Sequence, residues 1–291
     1  MKQLLILSGK GGTGKTTVAS AFIRLAGALC YADCDVDAPN LHLIMGQKNP
    51  PKRQDYFGMP RAEIDGELCV NCGECIKNCR FEAISVGKDG KYAVEQFDCE
   101  GCSLCAELCP AKAISMKPVT AGELLLFADE ASVFSSAQLK MGSGHSGMLV
   151  TEVKKQMRAA GGAAPLAIID GSPGVGCPVI ASMSGVDMVL IVAEPSVSGI
   201  SDMERILKTA EIFKVKTAVC VNKFDTSPEN TEKIEAFCRE NSLPFAGKIP
   251  FDPLAVSAIN QGKTIVDIAC PSGQALKIVY KKTIKILEEQ S

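Results

Sequence analysis

Short, wholly apolar runs recur along this chain, separated by stretches with helical spacing. Gln3-Leu4-Leu5-Ile6-Leu7, Leu166-Ala167-Ile168-Ile169-Asp170, Met188-Val189-Leu190-Ile191-Val192 and Thr217-Ala218-Val219-Cys220-Val221 show no polar–apolar alternation. Such runs fit strands buried on both faces of a parallel sheet. Residues 28–32, 124–128 and 245–249 read as further strands, and 16–26, 148–159, 202–213, 229–241 and 274–289 as helices. Strand–helix alternation of this kind predicts an α/β fold with a doubly wound, mostly parallel sheet. Residues 49–60, rich in Pro, Lys, Arg and Asn, read as a linker.

The alternation breaks between about residues 64 and 116, where eight of the chain's 14 cysteines gather. Cys69, Cys72, Cys75 and Cys79 form one C-x2-C-x2-C-x3-C run, and Cys99, Cys102, Cys105 and Cys109 form a second. Each run is followed by an Ala-Ile pair, Ala83-Ile84 and Ala113-Ile114, so the segment is an internal repeat and predicts a pseudo-two-fold miniature domain. Clustered thiols with regular spacing mean metal rather than disulfides. A structural zinc site would favour separated C-x2-C knuckles over four cysteines in one packed run.

The segment resembles a two-cluster bacterial ferredoxin. That resemblance implies two 4Fe–4S clusters with crossed last ligands: Cys69, Cys72, Cys75 and Cys109 on the first, and Cys99, Cys102, Cys105 and Cys79 on the second. Gly73 and Gly101 would let backbone N–H groups approach the sulfurs. One departure stands out. The second run ends Cys109-Pro110 as expected, whereas the first ends Cys79-Arg80, which would alter the polarity around the cluster that Cys79 serves.

Gly9-Lys10-Gly11-Gly12-Thr13-Gly14-Lys15-Thr16 matches G-x-x-x-x-G-K-[ST] between a predicted strand and a predicted helix. Glycines let backbone N–H groups wrap a phosphate, and the helix N-terminus adds partial positive charge. Gly11, Gly12, Thr13 and Gly14, with Thr17, would line the cradle; Lys15 would reach the β- and γ-phosphates and Thr16 would face Mg²⁺.

Lys10, a second lysine inside the loop, is the mark of the deviant Walker ATPases. Across its non-inserted part the chain resembles that MinD/ParA group, which also holds the nitrogenase iron protein and the Mrp-type cluster carriers. The resemblance implies an ATP-dependent dimer, of two copies or with a paralogous ATPase, in which Lys10 acts in trans on the partner's phosphates. It implies that Asp35, in Asp33-Cys34-Asp35-Val36-Asp37, orients the attacking water and that Asp33 supports Mg²⁺. Asp170, in Asp170-Gly171-Ser172-Pro173-Gly174, becomes a magnesium-side carboxylate of switch II, with Gly174 near the γ-phosphate. Asn222 and Pro250 become adenine-side residues. Asn222-Lys223-Phe224-Asp225 also matches the N-K-x-D guanine motif, so ATP and GTP both stay open from the residues alone. The expected organisation is an ATPase in two parts, 1–60 and 118–291, with a small α+β ferredoxin-like domain inserted at 61–117.

Charge and composition narrow the rest. Basic and acidic side chains number 31 and 33, a balance that argues against a nucleic-acid backbone reader; aromatics are 5% and Trp is absent, so base-stacking platforms are not expected either. No apolar run reaches the ~18 residues of a membrane span, and no leader is evident, so the expectation is a cytoplasmic protein without stable membrane insertion. Cys177, on the loop after switch II, and His145 are the candidates for an additional metal site; a free thiol is the simpler reading. His42 reads as a surface or packing residue, and the lysine-bearing C-terminal helix as packed on the sheet rather than on a membrane. Three functions compete. One is an ATPase coupled to its clusters, passing electrons to an unidentified partner or handling metallocofactors. The second is a positioning ATPase with a redox sensor, and the third an electron carrier with vestigial nucleotide binding.

Overall fold

A computed structural model describes residues 1–47, 49–129, 132–162 and 164–289. Two compact units emerge. The larger comprises Met1–Arg53, Leu124–Gln138 and Ser146–Ser291; the smaller comprises Gln54–Glu123 and Leu139–His145.

The strands, in chain order, are β1 (Lys2–Leu7), β2 (Cys30–Asp33), β3 (Lys52–Phe57), β4 (Arg61–Ile64), β5 (Ile84–Val86), β6 (Tyr92–Val94), β7 (Ile114–Lys117), β8 (Thr120–Ala128), β9 (Val133–Leu139), β10 (Leu166–Asp170), β11 (Met188–Ala193), β12 (Lys216–Asn222) and β13 (Phe245–Ile249). Nine of them form one sheet in the order β13-β12-β11-β1-β10-β2-β9-β8-β3. From β13 to β9 neighbouring strands pair in parallel, with Leu4 opposite Ile168 on one side and Met188 on the other. The apolar runs are the central strands: β11 is buried throughout, and β1 from its second residue on. Helices α1 (Lys15–Ala26), α5 (Ser146–Gly161), α6 (Cys177–Met183), α7 (Val197–Ile212), α8 (Pro228–Glu240) and α10 (Pro271–Glu288) belong to the same unit. α10 buries Leu276, Val279 and Leu287 in the core with Leu4, Phe22 and Leu190, so its apolar stripe lies on the protein and its lysines point outward. Among the described residues no helix is long and apolar enough to cross a membrane.

Three expectations need correction. Residues 52–57, read as linker, form β3; only Tyr56 in it is buried, so its pattern lacks the apolar signal of a central strand. β9 was not expected. Its Ser135 and Ser136 break the hydrophobic run, yet both are buried, Ser135 by donating to the Val153 carbonyl at 2.8 Å. The third is Cys177, which stands not in a loop but as the first residue of α6, with Pro178 in the first turn where its missing N–H is harmless.

The smaller unit holds the cysteine repeat. Each half carries a one-turn helix, α3 (Glu74–Asn78) or α4 (Leu104–Leu108), preceded by a residue with positive φ, Gly73 at 78° or Ser103 at 66°. β4 pairs antiparallel with β7, and β5 with β6. Ala62, Cys75, Ile84 and Ile114 form the small buried core, so the second residue of each Ala-Ile pair is a core position. The unit takes in more chain than the repeat itself. A Cβ on Gly142 would meet Phe97 Cδ1 at 2.7 Å, which is how closely the 139–145 segment packs beside the second run.

Gly101, between Cys99 and Cys102, has φ 71°, and a Cβ there would collide with the Pro60 carbonyl. Gly101→Ala is therefore expected to destabilise the smaller unit by at least about 1–2 kcal/mol, read as earlier thermal loss of its signals. An unchanged melting profile would contradict the packing described.

Candidate functional site

The Gly-rich turn links β1 to α1. Gly12 and Gly14 take φ of 81° and 91°, values a side chain rarely tolerates, and Gly14 is the N-cap of α1. A Cβ on Gly14 would also strike the side-chain amide nitrogen of Asn222. The loop, with Lys10, Lys15, Thr16, Thr17, Asp35, Asp37, Asn40, Ser172 and Pro173, opens onto a recess of about 610 Å³. The Thr13 hydroxyl is buried there without a hydrogen-bond partner, an orphaned donor that a bound phosphate oxygen would satisfy.

Behind the loop lies a buried charge cluster. Lys15 Nζ meets Asp170 Oδ1 at 2.5 Å, and the Thr16 hydroxyl donates to Asp170 Oδ2 at 2.7 Å. Burial alone would lower the Lys15 pKa, but the Asp170 carboxylate outweighs it and the net shift is upward. Asp33, fully buried, accepts from the backbone N–H of Asp35, Asn40 and Leu41 at 3.0 Å each. Burial, reinforced by the nearby Asp170 charge, pushes its pKa up to about 7 despite Lys15 and the amide donors. Burial also raises Asp35. Carboxylates held this unhappily suit a site completed by a divalent cation.

Lys10, though half-exposed, is not free. Its Nζ pairs with Glu194 Oε2 at 2.7 Å and donates to the hydroxyls of Ser196 and Ser198 at 3.2 Å. Lys223 shares Glu194 at 3.4 Å and donates to the Gly12 carbonyl at 2.8 Å. Sequence reasoning missed Glu194, because nothing near it matches a loop motif; only the fold brings it to the loop.

On the far side, Asn222, Ile249, Pro250, Phe251, Ala255 and Leu276 contribute to a second recess of about 210 Å³ that shares Gly12, Gly14 and Thr17 with the first. Asn222 Nδ2 donates to the Thr13 carbonyl at 2.6 Å. Asp225 Oδ1 accepts from the Phe251 amide at 2.7 Å, so the acid of Asn222-Lys223-Phe224-Asp225 is engaged by its own chain. Gly174 lies on the turn beyond β10, its N–H donating to the Ser8 carbonyl at 2.9 Å.

In the smaller unit the cysteines sort into two groups. Cys69, Cys72, Cys75 and Cys109 line one apolar recess, while Cys79, Cys99, Cys102 and Cys105 line another. The fourth cysteine of each run has crossed to the other group. All are free thiols. A single zinc ion, with Zn–S of about 2.3 Å, needs its sulfurs within about 4 Å of one another. Among the described residues no three His, Cys, Asp or Glu side chains gather as one metal ion requires. Four soft thiol donors round each recess are the donor set of an iron–sulfur cluster. His145 Nε2 lies 3.5 Å from Glu100 Oε2, and Cys177 is exposed.

Asp33 sets a pH dependence. Its folded carboxyl keeps a proton that an unfolded one releases near pH 4. The folded state thus binds the extra proton between about pH 4 and 7, and raising the pH through that window erodes stability. Urea midpoints of the nucleotide-free protein are expected to fall between about pH 5.5 and 7, when groups with lowered pKa no longer titrate. A midpoint that rises across this range would contradict the assignment.

An uncharacterized protein of Methanocaldococcus jannaschii is 32% identical over 85% of this chain and 86% of its own length. The iron–sulfur cluster carrier protein of the same organism is 20% identical over 98% and 85%. A ferredoxin of Pyrobaculum islandicum is 34% identical over 55 residues, 19% of this chain and 51% of that protein. The septum site-determining protein MinD of Pyrococcus horikoshii, solved with Mg-ADP, shares the fold at a TM-score of 0.59 and 18% identity, covering 99% of this chain and 97% of that one. The model of the CobQ/CobB/MinD/ParA nucleotide-binding domain matches residues 4–265, and with its Gly-rich loop, buried Lys15–Asp170 pair and parallel sheet the chain belongs to that family.

Proposed function

We propose that the protein hydrolyses ATP and that its nucleotide state is coupled to two 4Fe–4S clusters held by the cysteine repeat, either to pass electrons to a partner or to handle a metallocofactor. The observation that carries this reading is the presence, in one chain, of the Lys15–Asp170–Thr16 arrangement and two four-cysteine recesses. The named iron–sulfur carrier and ferredoxin relatives support it. In organisation, 61–117 is an insertion between the ATPase parts 1–60 and 118–291, and residues 54–60, 118–123 and 139–145 join it in the smaller unit.

The chain's own groups act as follows. Amides of residues 11–14 and the Lys15 ammonium hold the β- and γ-phosphates, and Asn222 and Pro250 contact the base. Asp225 is occupied by the Phe251 amide, which favours adenine over guanine. Asp35, in the phosphate recess, orients water toward the γ-phosphorus; a P–O bond forms to that water as the bond to the β-phosphate oxygen breaks, leaving ADP and phosphate. Thr16, Asp33 and Asp170 would hold Mg²⁺, which neutralises phosphate charge. Lys10 leaves Glu194 to stabilise the developing charge, on its partner's nucleotide in a dimer of two copies or of paralogues. Cys69, Cys72, Cys75 and Cys109, and Cys79, Cys99, Cys102 and Cys105, would hold the clusters, which supply one-electron chemistry. The compartment is cytoplasmic.

Two outcomes test this. Anaerobically reconstituted protein is expected to carry about eight irons per chain, falling to about four in Cys102→Ala; a colourless protein would refute the cluster half. Lys10→Ala is expected to keep nucleotide binding yet lose hydrolysis by on the order of 10³-fold, measured as phosphate release. Unchanged turnover would remove Lys10 from the mechanism.

A further inference from the structure

Lys154, on α5, is a buried cation that neither the nucleotide site nor the cysteine recesses use. It is 3% exposed, and its ammonium donates to the carbonyls of Ser182 at 2.5 Å, Ser184 at 2.6 Å and Ala181 at 3.3 Å. These are carbonyls at and just beyond the end of α6, the groups a helix leaves unpaired and the negative end of its dipole. All three ammonium hydrogens are thereby spent on one helix terminus. Among the described residues no carboxylate pairs with it. The Cys34 thiol at the end of β2 and Arg158, one turn along α5, are its ionisable neighbours, and burial lowers its pKa to about 8.

The other end of α6 is held by α5 as well. A Cβ on Gly147 would meet the Cys177 carbonyl oxygen at 3.1 Å and Cys177 Cβ at 3.3 Å, so the first turn of α5 packs directly on the first residue of α6. α6 in turn continues the segment that begins at Asp170, the carboxylate paired with Lys15. Ser172 of that segment donates to the Cys34 carbonyl, and Cys34 N donates to the Asp170 carbonyl at 2.7 Å, tying both switch segments to it. In the opposite direction along the chain, α5 is preceded without a break by Leu139–His145, which belongs to the smaller unit. There Gly142 packs on Phe97 and His145 pairs with Glu100, residues that bracket Cys99.

We propose that Lys154 is a positioning residue that straps the end of α6 to α5, so that movement of switch II on nucleotide binding is carried by α5 into Leu139–His145 and the chain around Cys99. Two gripping points make α5 and α6 shift together, and covalent continuity makes the 139–145 segment respond. The proposal rests on the nucleotide-coupled reading above and adds the element that does the coupling.

The test uses the full, cluster-loaded chain under anaerobic conditions. Hydrogen exchange is followed with and without magnesium and a non-hydrolysable ATP analogue, and binding is measured separately by calorimetry. In the unaltered protein, nucleotide is expected to change exchange across 139–161 by at least about threefold. Lys154→Met is expected to keep affinity within about threefold while the change at 139–145 is lost; Gly147→Ala, which wedges the other grip, should weaken the same change. Calorimetric binding with no exchange change in 139–161 of the unaltered chain would overturn the proposal while leaving the ATPase reading intact. A folded Lys154→Met protein with a full response at 139–145 would also overturn it. If Lys154→Met does not fold, the unaltered chain and Gly147→Ala decide. Absence of any binding heat would overturn both readings together.

Discussion

The buried contact between Lys15 and Asp170 organises the nucleotide half of this molecule. A lysine at 5% exposure is stable only if something answers its charge, and Asp170, fully buried, does so from the end of β10. The two residues lie far apart in the chain. They meet because β1 and β10 are neighbours in the sheet, with Ile6 opposite Asp170, so that the turn after one strand and the carboxylate ending the other face the same crevice. Thr16 adds a hydroxyl to the same carboxylate, and Asp33, one strand further along, crowds it with a second acid. The result is a site with excess negative charge below and a ring of backbone donors above, suited to a metal-bound phosphate chain.

Around that pair the structure keeps its other charges occupied. Lys10 and Lys223 both lean on Glu194, and Lys223 in addition caps the Gly12 carbonyl. Holding Lys10 against a carboxylate of its own chain keeps a flexible cation from wandering over the phosphate recess, while the half-exposed position leaves it able to leave. A partly exposed ion pair contributes only about 0–1 kcal/mol, so a phosphate can displace Glu194 at small cost. A resting contact that weak is compatible with a role across a dimer.

The smaller unit obeys a different constraint. Its buried cluster centres on Ala62, Cys75, Ile84 and Ile114, and a unit this small gains limited stability from apolar burial alone. What it has in compensation is eight thiols set round two recesses, each recess drawing three cysteines from one run and one from the other. Crossing of that kind stitches the two halves of the repeat together wherever the recesses are filled, so ligand binding and folding become one event.

How much of this was legible beforehand follows from which interactions are local. The central strands, the Gly-rich turn and the cysteine runs are written in contiguous residues: buried parallel strands need unbroken apolar runs, a phosphate cradle needs glycines at fixed offsets, and thiolate ligation needs regular spacing. β3 and β9 were not legible, because one is exposed and the other buries two serines, of which Ser135 finds its partner only once α5 packs. The crossing of Cys79 and Cys109 followed from resemblance, whereas their place in opposite recesses is a property of the folded unit. Glu194 and Lys154 carried no signal at all. Each is an ordinary charged residue whose role is set by what a distant segment brings to it, the Gly-rich loop for Glu194 and the end of α6 for Lys154. Sequence by itself determined the elements and the ligand types, since those depend on neighbours within a few positions; only tertiary structure decided which charges meet, since that depends on strand order and helix packing.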